Sequence, residues 1–152
     1  MGTHAKLVRR WIGIFNDRDF EACAVIGADE YVEHAIGPFG RVASGRVNGP
    51  TYLRETAEWL LAQFPDIHMT LDAIVAEGDL VTARVTSTGT NLGPIGPFAP
   101  TGRRFASQQC HWFRVADGRL AEHWAVRDDL VTMLQLGVIA PPSPPAGGSA
   151  DQ

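Results

Sequence analysis

The sequence predicts an α+β domain in which helices pack on one face of a curved antiparallel sheet. Up to Phe64 the apolar residues recur every three or four positions; after Pro65 they alternate with polar ones and with β-branched runs. Helical and extended patterns are thus segregated along the chain, three helices before four principal strands, which is the order expected when helices cover one side of an antiparallel sheet. The inner face of such a sheet is either a filled core or a pocket.

Taken in order, Leu7, Val8, Trp11, Ile12 and Phe15 form the apolar stripe of a helix running from Thr3, a candidate N-cap, to Asn16-Asp17. A short helix over Asp19 to Ile26 stops at Gly27, and Tyr31 to Ile36 is extended. The Gly-rich link Gly37 to Gly49 leads into a third helix, opened by Pro50 and closed by Pro65. Glu77-Gly78-Asp79 then joins the two strands of a long hairpin that ends at Thr90. The stretch from Asn91 to Arg104 is too rich in Gly and Pro for a helix or a central strand. With Leu92, Ile95 and Phe98 it either closes over a cavity or packs on the body. A final hairpin spans Gln108 to Asp128 around Asp117-Gly118, where Gly supplies the positive φ of the turn. Asp128 to Gly137 is a short terminal helix, so a single domain covers 1–139 and a Pro/Gly-rich, flexible tail covers 140–152.

A chain of 152 residues that is 45% apolar suffices for one domain with a real core. A net charge of −4 with scattered basic residues argues against a nucleic-acid partner. Cys23 and Cys110 lack metal-ligand or scaffold spacing, so no metal site is expected and both read as reduced thiols of a cytoplasmic protein. No run approaches the ~20 apolar residues of a membrane span, and no signal peptide is visible.

Pro65-Asp66-Ile67, Ala76-Glu77-Gly78-Asp79-Leu80-Val81, Gly89-Thr90, Pro100-Thr101-Gly102-Arg103-Arg104, Phe113 to Leu120, Glu122-His123-Trp124 and Gln135-Leu136-Gly137 stand in the order seen in another group of proteins. The chain resembles the SnoaL-like polyketide (ester) cyclases, which share the cone-shaped α+β fold of nuclear transport factor 2. The resemblance implies three N-terminal helices on the inner face of the cone, a homodimer formed through its outer face, and no cofactor. It also implies an intramolecular aldol condensation, in which an anthraquinone methyl ester loses a proton next to a carbonyl and the enolate closes a ring. In those cyclases an aspartate on the last strand is the acid/base, and a Gln-x-His pair on the preceding strand lines the cavity. The pair is present here as Gln109 and His111, whereas Ala125 occupies the aspartate's position and Glu33 lines up with a pocket asparagine. A methyl group carries no proton, so the mechanism implied by the resemblance cannot operate unchanged.

Which side chains share a face of the last hairpin depends on its turn. A two-residue Asp-Gly loop pairs Ala116 with Arg119; a three-residue loop pairs Val115 with Arg119, His111 with His123 and Gln109 with Ala125. The second is preferred because the resemblance calls for the Gln-x-His pair and the position of Ala125 in one cavity, and this register gathers Gln109, His111, His123 and Ala125 on one face. His111 is then the acid/base candidate and Gln109 a donor to an enolate oxygen, with the alternative that either histidine is a satisfied structural residue. His34 is an auxiliary acid/base if it points inward, and Glu33 lines the cavity or faces water. Asp128 caps the terminal helix or holds an imidazole in its tautomer.

The combined expectation is a cofactor-independent enzyme that moves a proton on a hydrophobic carbonyl compound through His111, Gln109 and His34. Its rivals are a non-catalytic small-molecule-binding or dimerisation module and an epoxide hydrolase or hydroxylase on the same fold. Convergent titratable groups in the pocket would favour catalysis, and a bare apolar pocket would favour binding.

Overall fold

The computed structural model describes residues 2–40 and 45–144. The residues 145–152 of the expected tail and 41–44 of the Gly-rich link lie outside that description. The chain runs α1 (Thr3–Asn16), α2 (Glu21–Ile26), β1 (Gly27–Glu33), a 3-10 turn (Pro38–Gly40), β2 (Gly45–Val47) and α3 (Gly49–Gln63). It continues through β3 (His68–Glu77), β4 (Leu80–Thr90), β5 (Arg104–Ala116), β6 (Arg119–Arg127) and α4 (Asp129–Leu136). Among the described residues the strands make one open sheet ordered β2-β1-β6-β5-β4-β3. Its neighbours are antiparallel except β1 and β6, which run parallel. A bulge at Asp72 helps bend β3 against β4.

The helices form where their end chemistry and apolar stripes dictate. On α1 the stripe Val8, Trp11, Ile12 and Phe15 is buried. The expected cap Thr3 is instead the first helical residue, behind Gly2, which makes no side-chain cap. Asn48 caps α3 by accepting from Thr51 N (3.1 Å), and Pro50 sits in the first turn, where no N–H is required. The second helix is shorter than expected because it begins at Glu21, and the strand placed at Tyr31 to Ile36 instead spans Gly27–Glu33. α1 and α3 lie over the inner sheet face, where Val8, Phe15, Leu53, Phe64, Val85 and Phe113 join one core.

The long connection from Asn91 takes the second of its two expected courses. Leu92 and Gly93 donate their N–H groups to the Gln63 carbonyl, and the buried Asn91 side chain donates to Gly93 O (2.6 Å) and accepts from Thr101 N (2.9 Å). Ile95 is buried while Leu92 and Phe98 stay exposed, so the loop packs on the end of α3.

The last hairpin overturns the preferred register. Ala116 pairs with Arg119 across a two-residue turn in which Asp117 (φ 49°) and Gly118 (φ 73°) are both left-handed. That turn matches the natural twist of the strands, which the three-residue loop does not improve upon. Farther along, Arg114 pairs with Glu122 while Val115 pairs with Leu120, leaving Ala121 as a bulged residue. Beyond the bulge His111 faces Ala125 and Gln109 faces Arg127. The offset from the preferred register is two residues, and because strand sidedness has a period of two, His111, His123, Ala125 and Gln109 still share the inner face.

Gly93 passes so close to α3 that a Cβ there would lie 2.0 Å from the Ala62 carbonyl oxygen. Gly93→Ala is therefore expected to destabilise the fold by about 2 kcal/mol or more, in the range of overpacking changes. A urea midpoint equal to that of the unsubstituted protein would contradict the anchoring of this loop.

Candidate active site

α1, α3 and the inner face of the sheet form the walls of a cavity, a concave apolar setting of the kind that receives small organic molecules. Its walls are largely apolar, with Trp11, Phe15, Leu53, Phe64, Met69 and Phe105 among them. Into this lining project Glu33 from the end of β1, Gln109 and His111 from β5, and His123 and Arg127 from β6.

Four of these side chains make a continuous hydrogen-bonded row. Gln109 Oε1 lies 3.0 Å from His111 Nε2, His111 Nδ1 lies 3.0 Å from His123 Nε2, and His123 Nδ1 lies 2.8 Å from Glu33 Oε2. Glu33 Oε1 also accepts from Ala35 N at 2.9 Å. Glu33, His111 and His123 are all buried. Trp11 packs on His111 with ring centroids 4.8 Å apart, and Phe113 stacks on His123 at 4.7 Å.

The row accommodates two proton arrangements. With the Gln109 amide oxygen facing His111, as here, His111 Nε2 carries the hydrogen; Nδ1 then accepts from His123 Nε2–H while His123 Nδ1–H donates to Glu33. In that arrangement both His123 nitrogens act as donors, one of them to Glu33. Turning the amide makes Gln109 the donor, and the row is complete with one proton fewer. Burial, then the nearby His123 and Arg127, hold the His111 imidazole well below the usual histidine range, so it resists becoming cationic itself.

Of the residues singled out in the sequence, Gln109, His111, His123 and Glu33 come together. His34 does not. β1 alternates, Tyr31 and Glu33 turn inward, and His34 turns out, where its Nε2 meets Glu122 Oε2 (2.8 Å) and its ring stacks on Trp124 (4.5 Å, 2°). That hydrogen bond is the main cause holding the Glu122 carboxyl below its usual range. Asp128 is likewise outside: it accepts from Val131 N (3.2 Å) as the cap of α4. Ala125 shares the face of His111, its cross-strand partner, without lining the cavity. Trp112 and Trp124 pair on the outer face. Trp11 and Arg127 carry no assigned role in the sequence: Trp11 reads chiefly as one more residue of a core stripe, and Arg127 shares the face of His123 and Ala125 by alternation without a chemistry of its own. Among the described residues no cluster of three or more His, Cys, Asp or Glu is placed to hold a metal ion, and no helix is long and apolar enough to cross a membrane.

A family model described as SnoaL-like polyketide cyclase matches residues 5–136. The aklanonic acid methyl ester cyclase DnrD of Streptomyces peucetius is 28% identical over 138 residues, covering 90% of this chain and 92% of that protein. The nogalonic acid methyl ester cyclase of Streptomyces nogalater is 28% identical over 110 residues, 72% of this chain and 82% of its own. Among solved structures, IdmH of Streptomyces antibioticus, assigned as a candidate polyketide cyclase, superposes with a TM-score of 0.75 at 30% identity, covering 88% of this chain and 97% of that one.

Because His111 is held below its unfolded value, near 6.5, its contribution to stability is full above that pH and is lost as pH falls toward the folded value. Urea unfolding from pH 7.5 downward is expected to show the unsubstituted protein losing up to about 1.4 kcal/mol per pH unit more than His111→Gln below pH ~6.5. Identical pH slopes would show that the folded state does not disfavour the imidazolium.

Proposed function

The chain belongs to the SnoaL-like polyketide cyclase family, and from that premise we propose that it is a cofactor-independent enzyme closing a ring in a hydrophobic, polyketide-type carbonyl compound, with His111 as the acid/base. The observation that carries this reading is the unbroken row from the cavity to a buried carboxylate, Gln109–His111–His123–Glu33. In the one-proton-poorer arrangement, His111 Nε2 has a lone pair toward the cavity once the Gln109 amide turns aside. It takes a proton from a carbon next to a carbonyl, and passes its Nδ1 proton to His123, whose new charge is stabilised by Glu33. This is the proton-rich arrangement described above. The Gln109 amide N–H donates to the enolate oxygen, where fixed donors count most in a water-poor pocket. The enolate carbon then forms the new C–C bond at a second carbonyl of the same molecule, and the resulting alkoxide recovers the proton from His111. No atom is gained or lost.

In this reading the carboxylate missing at Ala125 is replaced by Glu33, which acts through His123 as an orienting and charge-stabilising group and does not touch the substrate. The convergence of three titratable side chains argues for catalysis over a purely binding module. Epoxide opening is less well served, because the Glu33 oxygens are already engaged by His123 and Ala35 N and Asp128 lies outside the cavity.

The substrates named for the relatives, aklanonic and nogalonic acid methyl esters, are the first to try, with a mass-neutral product followed by chromatography. His111→Ala is expected to lower kcat at least about a hundredfold, as for loss of a positioned acid/base, and Glu33→Gln at least about tenfold, as for loss of an orienting carboxylate. Since the row must be in its proton-poorer arrangement for His111 to act as a base, kcat/KM should fall on the acid side. Turnover undiminished in His111→Ala, or a rate independent of pH between about 5 and 8 where imidazoles titrate, would overturn the assignment.

A further inference from the structure

Among the described residues, two that line the cavity carry a buried side-chain polar atom without a hydrogen-bond partner, Thr56 Oγ1 on α3 and Arg127 Nε on β6. Buried polar groups are nearly always paired, so unpaired ones that face a cavity mark where a ligand completes the structure. Arg127 is the more telling of the two. Its side chain is only 10% exposed, and Nη2 donates to the Ile36 carbonyl. Its Nε lies 3.6 Å from Asp129 Oδ1, near enough for attraction but too far for a hydrogen bond. Asp129 is itself drawn aside, its other oxygen accepting from Phe39 N at 3.3 Å. Directly across the β5–β6 pair stands Gln109, so the guanidinium extends the row of polar groups at the end opposite Glu33.

We propose that Arg127 binds an anionic oxygen, a carboxylate or an acidic phenolate or enolate, carried by an otherwise apolar ring compound, with the Thr56 hydroxyl pairing a second polar group from the facing wall. A planar fork of N–H donors suits such an oxygen better than a neutral one. The placement deepens the ring-closure reading, since an oxygen held beside Gln109 brings its neighbouring carbon toward His111. An anion seated on Arg127 also offsets one of the positive charges that keep His111 neutral, so the bound substrate strengthens the base that acts on it.

The test uses the full chain and two probes of equal shape, anthraquinone-2-carboxylate and anthraquinone-2-carboxamide, with binding read from tryptophan quenching, Trp11 being part of the wall. The carboxylate is expected to bind about tenfold tighter than the amide, as for a hydrogen bond gained to a charged group. In Arg127→Met the two affinities should converge to within about twofold through loss of carboxylate binding, and Arg127→Lys should keep an intermediate preference because its ammonium is a point charge without the fork. Asp129→Asn, which retains a carbonyl for Phe39 N, should widen the preference. Equal affinities in the unsubstituted protein, no binding of either probe, or a preference that survives Arg127→Met would each overturn the proposal. If Arg127→Met does not fold, a preference unmoved by Asp129→Asn does so. Neither probe reacts, so a carboxylate preference without turnover of any ester would sink the cyclase reading alone, and turnover without the preference would sink this one alone.

Discussion

A carboxylate held out of water governs the closed end of this pocket. Glu33 is 4% exposed, and an ion in that setting costs on the order of several kcal/mol unless donors reach it. Ala35 N and His123 Nδ1 are those donors. Satisfying Glu33 therefore fixes the ring plane of His123 and binds β1 to β6, a junction reinforced by His34 N donating to the His123 carbonyl at 2.9 Å. Once that ring is fixed, its remaining nitrogen can meet only His111. The orientation of His111 is thus inherited from a carboxylate two side chains away.

The apolar surroundings complete the device. Trp11 and Phe113 press on the two imidazoles from the helix and from the sheet, so the rings are held by packing as well as by hydrogen bonds. Desolvation makes a charge on His111 unfavourable, and of the two imidazoles only His123 touches Glu33. In the proposed mechanism one histidine faces the ligand and the other takes up the charge. Opposite His111 on the last strand there is only the methyl of Ala125, so the carboxylate that supports this division of labour comes from the first strand.

Much of this arrangement is legible in the residues alone. Periodicity located the helices and the principal strands, because apolar spacing is a direct image of what each element buries. The sidedness of Gln109, His111 and His123 was legible too, even though their register was not: an error of two residues leaves a strand's faces unchanged. His34 and Glu33 were harder. They are adjacent, so one must turn in and the other out, and only the pairing of β1 with β6, a contact between segments 90 residues apart, decides which. Asp128 carried two signals, a capping position and a carboxylate near histidines, and the local one prevailed because a helix N-terminus needs its acceptor wherever the chain goes. Arg127 follows the same alternation onto the inner face, but what its guanidinium meets there depends on Ile36 and Asp129, contacts that a strand pattern does not contain.

The bulge at Ala121 gives β6 something like a reading frame. Leu120 and His123 are both buried although three residues apart, which an uninterrupted strand forbids; the extra residue absorbs the mismatch between a tight turn and an inward-facing histidine. Flattening the bulge without changing the chain length would act as a frameshift confined to this strand. Every composition statistic would survive it, yet His123 and Arg127 would be delivered to the outer surface and Trp124 to the pocket. The bulge between the turn and the histidine is therefore as much a part of the site as the histidine itself.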